Sequence, residues 1–328
     1  MVKKSFTLLE LIIVIVIMAL ISVGTFKAIE MLYQRYVQAN TITKFSILSQ
    51  TATTQISTLM YNRVPITAIG YNPDNGDFKQ LQDVDDDSYT IIEFIGDAFD
   101  AKNHANAENN ATKGYSGFID LNASNSDTKT LVAKDFNTTD INNTLNAIFN
   151  NKQDLNQTVA IIFSGPTGSG DVDENDYNNS FGWHGYDHNR TFLISKPKQV
   201  DLDTNLTMEA AISGHKIYAK YFLVDTAWAI ARGKDINKNK NCLKGLNIKD
   251  DTLILFYNYR PWLHQTFCAD KIETNGTLEG NASILAQNVS AFRVRAINYH
   301  IEIKIQFTKP LFKGSDQNIS ISKQKVVF

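Results

Sequence analysis

Residues Phe6 to Phe26 read FTLLELIIVIVIMALISVGTF, and Glu10 is the only charge in those 21 positions. At about 1.5 Å per residue, a helix of that length spans ~31 Å, the thickness of a bilayer hydrocarbon core. No comparable apolar run follows, so the sequence predicts one membrane span. Lys3 and Lys4 stand directly before it. Cationic flanks stay on the cytoplasmic side, which places residues 1–5 in the cytoplasm and everything after about Lys27 beyond the membrane. A secretory signal peptide is the alternative reading. It needs an apolar stretch of about 7–15 residues and a small-x-small cleavage motif. The stretch here is longer, Ser22-Val23-Gly24 is a weak motif, and helical patterning continues past it.

Glu10 is the anomaly in this run. A carboxylate at the centre of a span costs about 2.5–3.5 kcal/mol on insertion scales. Two readings remain open. One turn into the helix, the acid can sit near the headgroups. Alternatively, it is retained because it meets a cation inside an assembly.

Beyond Phe26 the pattern becomes amphipathic. Phe26, Ile29, Leu32, Tyr33, Tyr36 and Val37 recur every 3–4 residues. After a polar interruption at Asn40–Thr43, the stripe resumes with Phe45, Leu48, Ala52, Ile56 and Leu59. Neither Pro nor Gly occurs between Gly24 and Pro65. The spacing therefore predicts one helix from Phe6 to Tyr61, ~80 Å long. Residues 6–26 form its membrane or assembly core, and residues 27–61 its amphipathic continuation, packed on a head.

The head spans residues 62–328. Tyr89–Phe94, Thr158–Ser164, Lys216–Val224 and Thr252–Tyr257 are strand candidates. His300–Phe307 alternates apolar and polar, the mark of a strand with one wet face, and Ile319–Val327 is expected beside it. Asn occurs 32 times in the chain. Its cluster predicts a polar insertion of long loops over residues 97–210, with a short helix through Ile141, Leu145 and Ile148. The fold class is α+β, a long N-terminal helix followed by a mostly antiparallel sheet.

Composition narrows the function. The 328 residues carry 32 Lys plus Arg against 34 Asp plus Glu, a formal charge of −2. That balance offers no field for nucleic acid. There is no Gly-x-Ser-x-Gly elbow, phosphate-binding Gly-Lys-Ser/Thr loop or His-Glu-x-x-His helix, so no enzyme is expected. Cys242 and Cys268 lie beyond the membrane on this topology, where disulfides form. A bridge and two free thiols both remain open, while zinc is disfavoured because the nearest histidine is the lone His264. Asp171, Asp173, Asn175 and Asp176 offer hard oxygens suited to Ca²⁺, without the EF-hand pattern. A solvated acidic loop is the competing reading there, as it is for Asp83, Asp85, Asp86 and Asp87. Trp183 to His188 places two histidines four apart on a glycine-containing loop, for local packing or contact with a partner.

The segment Lys3-Lys4-Ser5 followed by Phe6-Thr7-Leu8-Leu9-Glu10 resembles the N-terminal signal of type IV pilins and type II secretion pseudopilins. The resemblance covers residues 3–35. It implies cleavage between Ser5 and Phe6 by a prepilin peptidase and N-methylation of Phe6. The family usually has Gly where this chain has Ser5. Glu10 matches the family's glutamate, and its implied role is to pair with the new α-ammonium of a neighbouring subunit. The implied partners are other pilins in a hetero-oligomeric filament or tip complex, the peptidase and an inner-membrane assembly platform. The implied location is the inner membrane, with a periplasmic head, and then a filament. A weaker likeness of Tyr221–Val224, Leu253–Phe256 and Leu285–Val294 points to J-type minor pseudopilins or related minor pilins. A single-span periplasmic binding protein or enzyme, or a tip adhesin using residues 97–210, are the alternatives.

Overall fold

The computed structural model describes residues 7–99, 101, 117–124, 129–133, 136, 138–148, 158–165, 174–194, 205–210, 212, 215–268, 280–297, 300–312 and 317–327. Helix α1 runs unbroken over Leu8–Tyr61, 54 residues. Gly24 and the polar patch at Asn40–Thr43 do not interrupt it. Their neighbours explain why. The Thr25 hydroxyl donates to Ile21 O at 2.8 Å, and the Thr43 hydroxyl to Ala39 O at 3.0 Å. Hydroxyls that fold back onto the preceding turn are satisfied without water, a bond that tends to bend a helix slightly but does not end it.

The head is antiparallel throughout its described ladders. Its large sheet contains β1 (Ile69–Tyr71), β2 (Phe78–Gln80), β3 (Ile91–Asp97), β5 (Ala160–Phe163), β6 (Phe192–Leu193), β8 (Tyr221–Arg232), β9 (Leu253–Tyr259) and β10 (Asn281–Ala286). The main order is β10-β9-β8-β3-β1-β2. Strand β8 organises it. Its residues 224–230 pair with β3, 227–232 with β9 and 221–224 with β5. Since β3 overlaps both others, β9 and β5 share the opposite edge of β8, one after the other. A second sheet has the order β11-β12-β13, from Val289–Ile297, His300–Pro310 and Asn318–Val327. A two-stranded ribbon joins β4 (Thr130–Val132) to β7 (Asn205–Thr207), and α2 spans Thr138–Ile148.

Several strands differ from the sequence reading at their ends. The expected strand at Lys216–Val224 begins only at Tyr221 and continues to Arg232. The Ala-Trp-Ala-Ile-Ala run has no turn residue to stop it, and two neighbours satisfy its backbone. In β12 the inward side chains Ile301, Ile303, Ile305 and Phe307 are all buried.

Three apolar clusters hold the head. One lies between α1 and the small sheet. It gathers Phe45, Ala52, Ile56 and Met60 against Phe292, Val294, Ile303, Ile305 and Phe307. The Phe45 and Phe307 rings sit 5.7 Å apart, and Lys325 Nζ donates to Ser57 Oγ at 2.7 Å. A second cluster contains Trp183, Tyr259 and Trp262 together with Cys242 and Cys268, which are joined by a disulfide. By the chain-entropy model, closing a loop of that length contributes about 3.5 kcal/mol.

The third cluster corrects the expectation of long polar loops over residues 97–210. Ile119, Leu131, Phe136, Ile141, Leu145, Ile194, Leu206 and Met208 make a core of their own against Ile161 and Leu223. These few apolar residues are buried, whereas Phe99, Phe118 and Leu121 of the same segment are exposed. Ile148, expected on the same helix face, is instead 41% exposed.

The helix stripe also needs correction. Among the described residues the stripe becomes buried on the head only from Phe45 onward, and Val37 is half-buried. Phe26, Ile29, Leu32, Tyr33 and Tyr36 are exposed, and Tyr33 meets only the edge of the head, stacked on Phe312 at 6.3 Å. Periodicity reports an apolar face, not which chain covers it. Truncating Phe45 to Ala should destabilise the head by about 3–5 kcal/mol, measured by chemical denaturation of the full chain in detergent micelles.

Candidate functional site

The first turn of α1 is closed by its own side chains. Thr7 caps the helix, accepting from Glu10 N at 3.4 Å. In return, the Glu10 carboxylate accepts from the Thr7 backbone N–H and hydroxyl, each at 3.0 Å. This reciprocal capping box satisfies donors that a helix start otherwise leaves unpaired. Ser5 and Phe6 lie outside the described residues.

From Leu8 to Val23 the helix presents large apolar side chains on every side, all of them exposed. None of its most apolar 18-residue stretch is covered by the rest of the chain, and by length and composition α1 can cross a membrane. A helix that is apolar all round is a buried helix. The described part of the head leaves this stretch uncovered. The capping box gives Glu10 two hydrogen bonds, both from neutral groups of Thr7.

The head holds a second cluster that sequence reasoning missed. Glu93 on β3 is 1% exposed. Its two oxygens accept from Tyr259 OH at 2.7 Å and from His184 Nε2 at 2.8 Å. The His184 ring stacks on Tyr71 with centroids 3.9 Å apart and tilts against Phe78. Gly182 sets the loop that delivers His184. Its φ is +82°, and a Cβ there would lie 2.4 Å from Pro261 O. The sequence signal was a lone acid inside the wholly apolar run Ile91-Ile92-Glu93-Phe94-Ile95. Both carboxylate oxygens are occupied and aromatic rings cover the pair. The arrangement fastens the loop at 183–188 to the sheet, and no nucleophile stands beside it among its described partners.

The two histidines of that loop do not share a ligand. His188 Nδ1–H donates to Thr191 O at 3.0 Å, and its ring lies edge-on to His264. The loop is locally packed. For the calcium candidate, Asp171 and Asp173 lie outside the described residues. Asn175 and Asp176 fall on the short 3-10 helix Glu174–Asn179. Among the described residues no group of three or more His, Cys, Asp or Glu side chains is placed to hold a metal.

The second acidic run is solvated as expected, with Asp83, Asp85, Asp86 and Asp87 all exposed. The Ser88 hydroxyl and N–H hold the Asp86 carboxyl below its usual range. Asp87 pairs with Arg293 and, at 3.2 Å, with Arg295, and Lys79 lies 3.7 Å from Asp85. Compared with protein-family models, curated proteins and solved structures, the chain matches none.

Burial shapes the alkaline limit of the head. It pushes the Tyr177 and Tyr259 hydroxyls well above the ordinary 10.0, with nearby Glu93 adding to the effect at Tyr259. Tyr221 is raised by burial alone. A folded-state value above the unfolded one gives stability that is intact below pH 10 and lost as pH rises further, because only the unfolded chain ionises. Each such tyrosine should remove about 1.4 kcal/mol per pH unit above 10. Tyr177 OH donates only to Ile66 O among its described partners, so Tyr177→Phe isolates one term. The stability gap between wild type and Tyr177→Phe should narrow at that rate between about pH 10 and 11 in urea titrations.

Proposed function

We propose that this chain is a minor pilin-like structural subunit of a bacterial type IV filament system, either a type II secretion pseudopilus or a type IV pilus. The single observation that carries the reading is the N-terminal constellation. A basic pair, Lys3-Lys4, precedes Phe-Thr-Leu-Leu-Glu, and this opens an apolar helix that the head leaves uncovered. The α+β architecture, with the last third of α1 laid on an antiparallel sheet, agrees with a pilin-like fold.

On this reading the precursor sits in the inner membrane with residues 1–5 in the cytoplasm and the head in the periplasm. Prepilin peptidase cuts between Ser5 and Phe6 and methylates the new amino group. The apolar half of α1 then leaves lipid for the core of a helical assembly with other pilins, through an inner-membrane platform. Glu10 has its capping bonds from Thr7, and a neighbouring subunit's α-ammonium supplies the missing charge. Because lone charges are costly in such a core, the pair fixes the stagger between helices more than it adds net stability. The chemistry is done to this chain rather than by it.

N-terminal mass spectrometry of the protein from its native host should find a mature chain starting at N-methylated Phe6. A retained Lys3-Lys4 would instead favour a single-span anchored protein. Glu10→Leu should leave membrane insertion intact yet remove the chain from sheared filament fractions, read by immunoblot. Normal incorporation of that variant would sink the assembly role of the acid.

A further inference from the structure

Strand β11 ends the small sheet. One of its edges pairs with β12, and the other carries no strand among the described residues. Along that free edge lies a groove of about 280 Å³. Five consecutive residues, Ala291 to Arg295, line it. A strand that presents consecutive residues to a cavity presents its backbone edge rather than one face, since neighbouring side chains point to opposite faces. No backbone hydrogen bond from other described turns or loops reaches Ala291–Ile297. The opposite wall is built from Val84, Asp86, Asp87, Tyr89 and Thr90, and the Thr90 Oγ1 is buried without a partner.

Charge defines what the groove accepts. Arg232, Lys234, Arg293 and Arg295 line it against Asp86 and Asp87. Arg232 is committed, with Nε to Asp235 at 3.2 Å and a guanidinium nitrogen donating to Ser290 O at 2.9 Å. That bond closes the start of the strand edge, and the short 3-10 helix Leu81–Asp83 also lies against β11. Arg293 and Arg295 stand two residues apart on the outer face, about half exposed, and converge on the single carboxylate of Asp87. Unpaired strand edges invite another strand, and natural proteins guard them with charge. Here the guard is a cationic pair with an in-chain carboxylate resting on it.

We propose that the open edge of β11 is a docking site for an extended, acidic segment of a partner protein. The segment adds as a further strand, and its carboxylate takes the place of Asp87 between Arg293 and Arg295. Backbone pairing supplies affinity, and alternate acidic side chains supply choice of partner. A second copy of this chain does not suit the same edge, because two β11 strands would set arginine against arginine. This inference goes beyond the filament reading and does not depend on it.

Asp87 gives the test an unusual sign, since removing an acid should strengthen binding of an acid. The full chain in neutral detergent micelles is titrated with three fluorescent peptides, acetyl-TVDVEVT-amide, its amide counterpart acetyl-TVNVQVT-amide, and acetyl-TVDPEVT-amide, whose proline blocks strand pairing. The first should bind best. Asp87→Asn should tighten it roughly threefold, the scale of one exposed ion pair. The double variant Arg293→Glu with Arg295→Glu should weaken it on the order of tenfold, through like-charge repulsion. Arg293→Gln with Arg295→Gln, which adds no new charge, guards against misfolding and should weaken binding by a smaller factor. Equal binding of the acidic and amide peptides, or no response to Asp87→Asn, overturns the proposal. Equal binding of the proline peptide shows a site for carboxylates alone and overturns the strand-addition mechanism.

Discussion

Thirteen large apolar side chains between Leu8 and Val23 stand exposed on one helix. Each is worth about 1.5–3 kcal/mol when fully buried, so the segment demands cover on the order of tens of kcal/mol. A folded domain is typically stable by only about 5–15 kcal/mol. The placement of residues 8–23 is therefore not decided by contacts with the described head. Lipid and a bundle of like helices both meet the demand. Against a term of this size, one carboxylate cannot keep the helix out of an apolar environment. On the proposed filament reading, Glu10 discriminates among arrangements that bury the rest equally well.

That division of labour runs through the whole molecule. The last third of α1, from Phe45 onward, has its apolar stripe answered within the chain by Phe307, Ile305 and Val294. The longer part before it is largely exposed among the described residues. Between them the helix stays continuous, with neither Pro nor Gly after Gly24 to break it. A rigid rod thus ties a self-sufficient head to a segment that is not self-sufficient. Head and rod can be altered separately, since the clusters around the disulfide and around α2 do not include the exposed part of α1.

Much of this was legible in the residues. The length of α1 follows from an apolar period with no Pro or Gly after Gly24, and the alternation of His300–Phe307 locates β12 and its inward face. Other features had no local signature. Where the head begins to cover α1 depends on the reach of β12 and β13, which a periodicity does not encode. The partners of Glu93 come from residues 184 and 259, brought together only by the fold. Asp87 read as one more solvated acid, because its two arginines lie some two hundred positions later in sequence. The Asn-rich segment misled for a different reason. A few apolar residues in the right places build a small core even where average polarity is high.

The ladder between β3 and β8 sets an order of events during synthesis. Ile92 pairs with Ile230 on one side and with Gly70 on the other, so the run Ile91–Asp97 leaves the ribosome after β1 but long before β8 exists. Contacts so distant along the chain close slowly, and an apolar strand with one unpaired edge is prone to self-association in the interval. The helix faces no such delay, since its hydrogen bonds are local and it is made first. The helix therefore forms while the central strand still waits for β8.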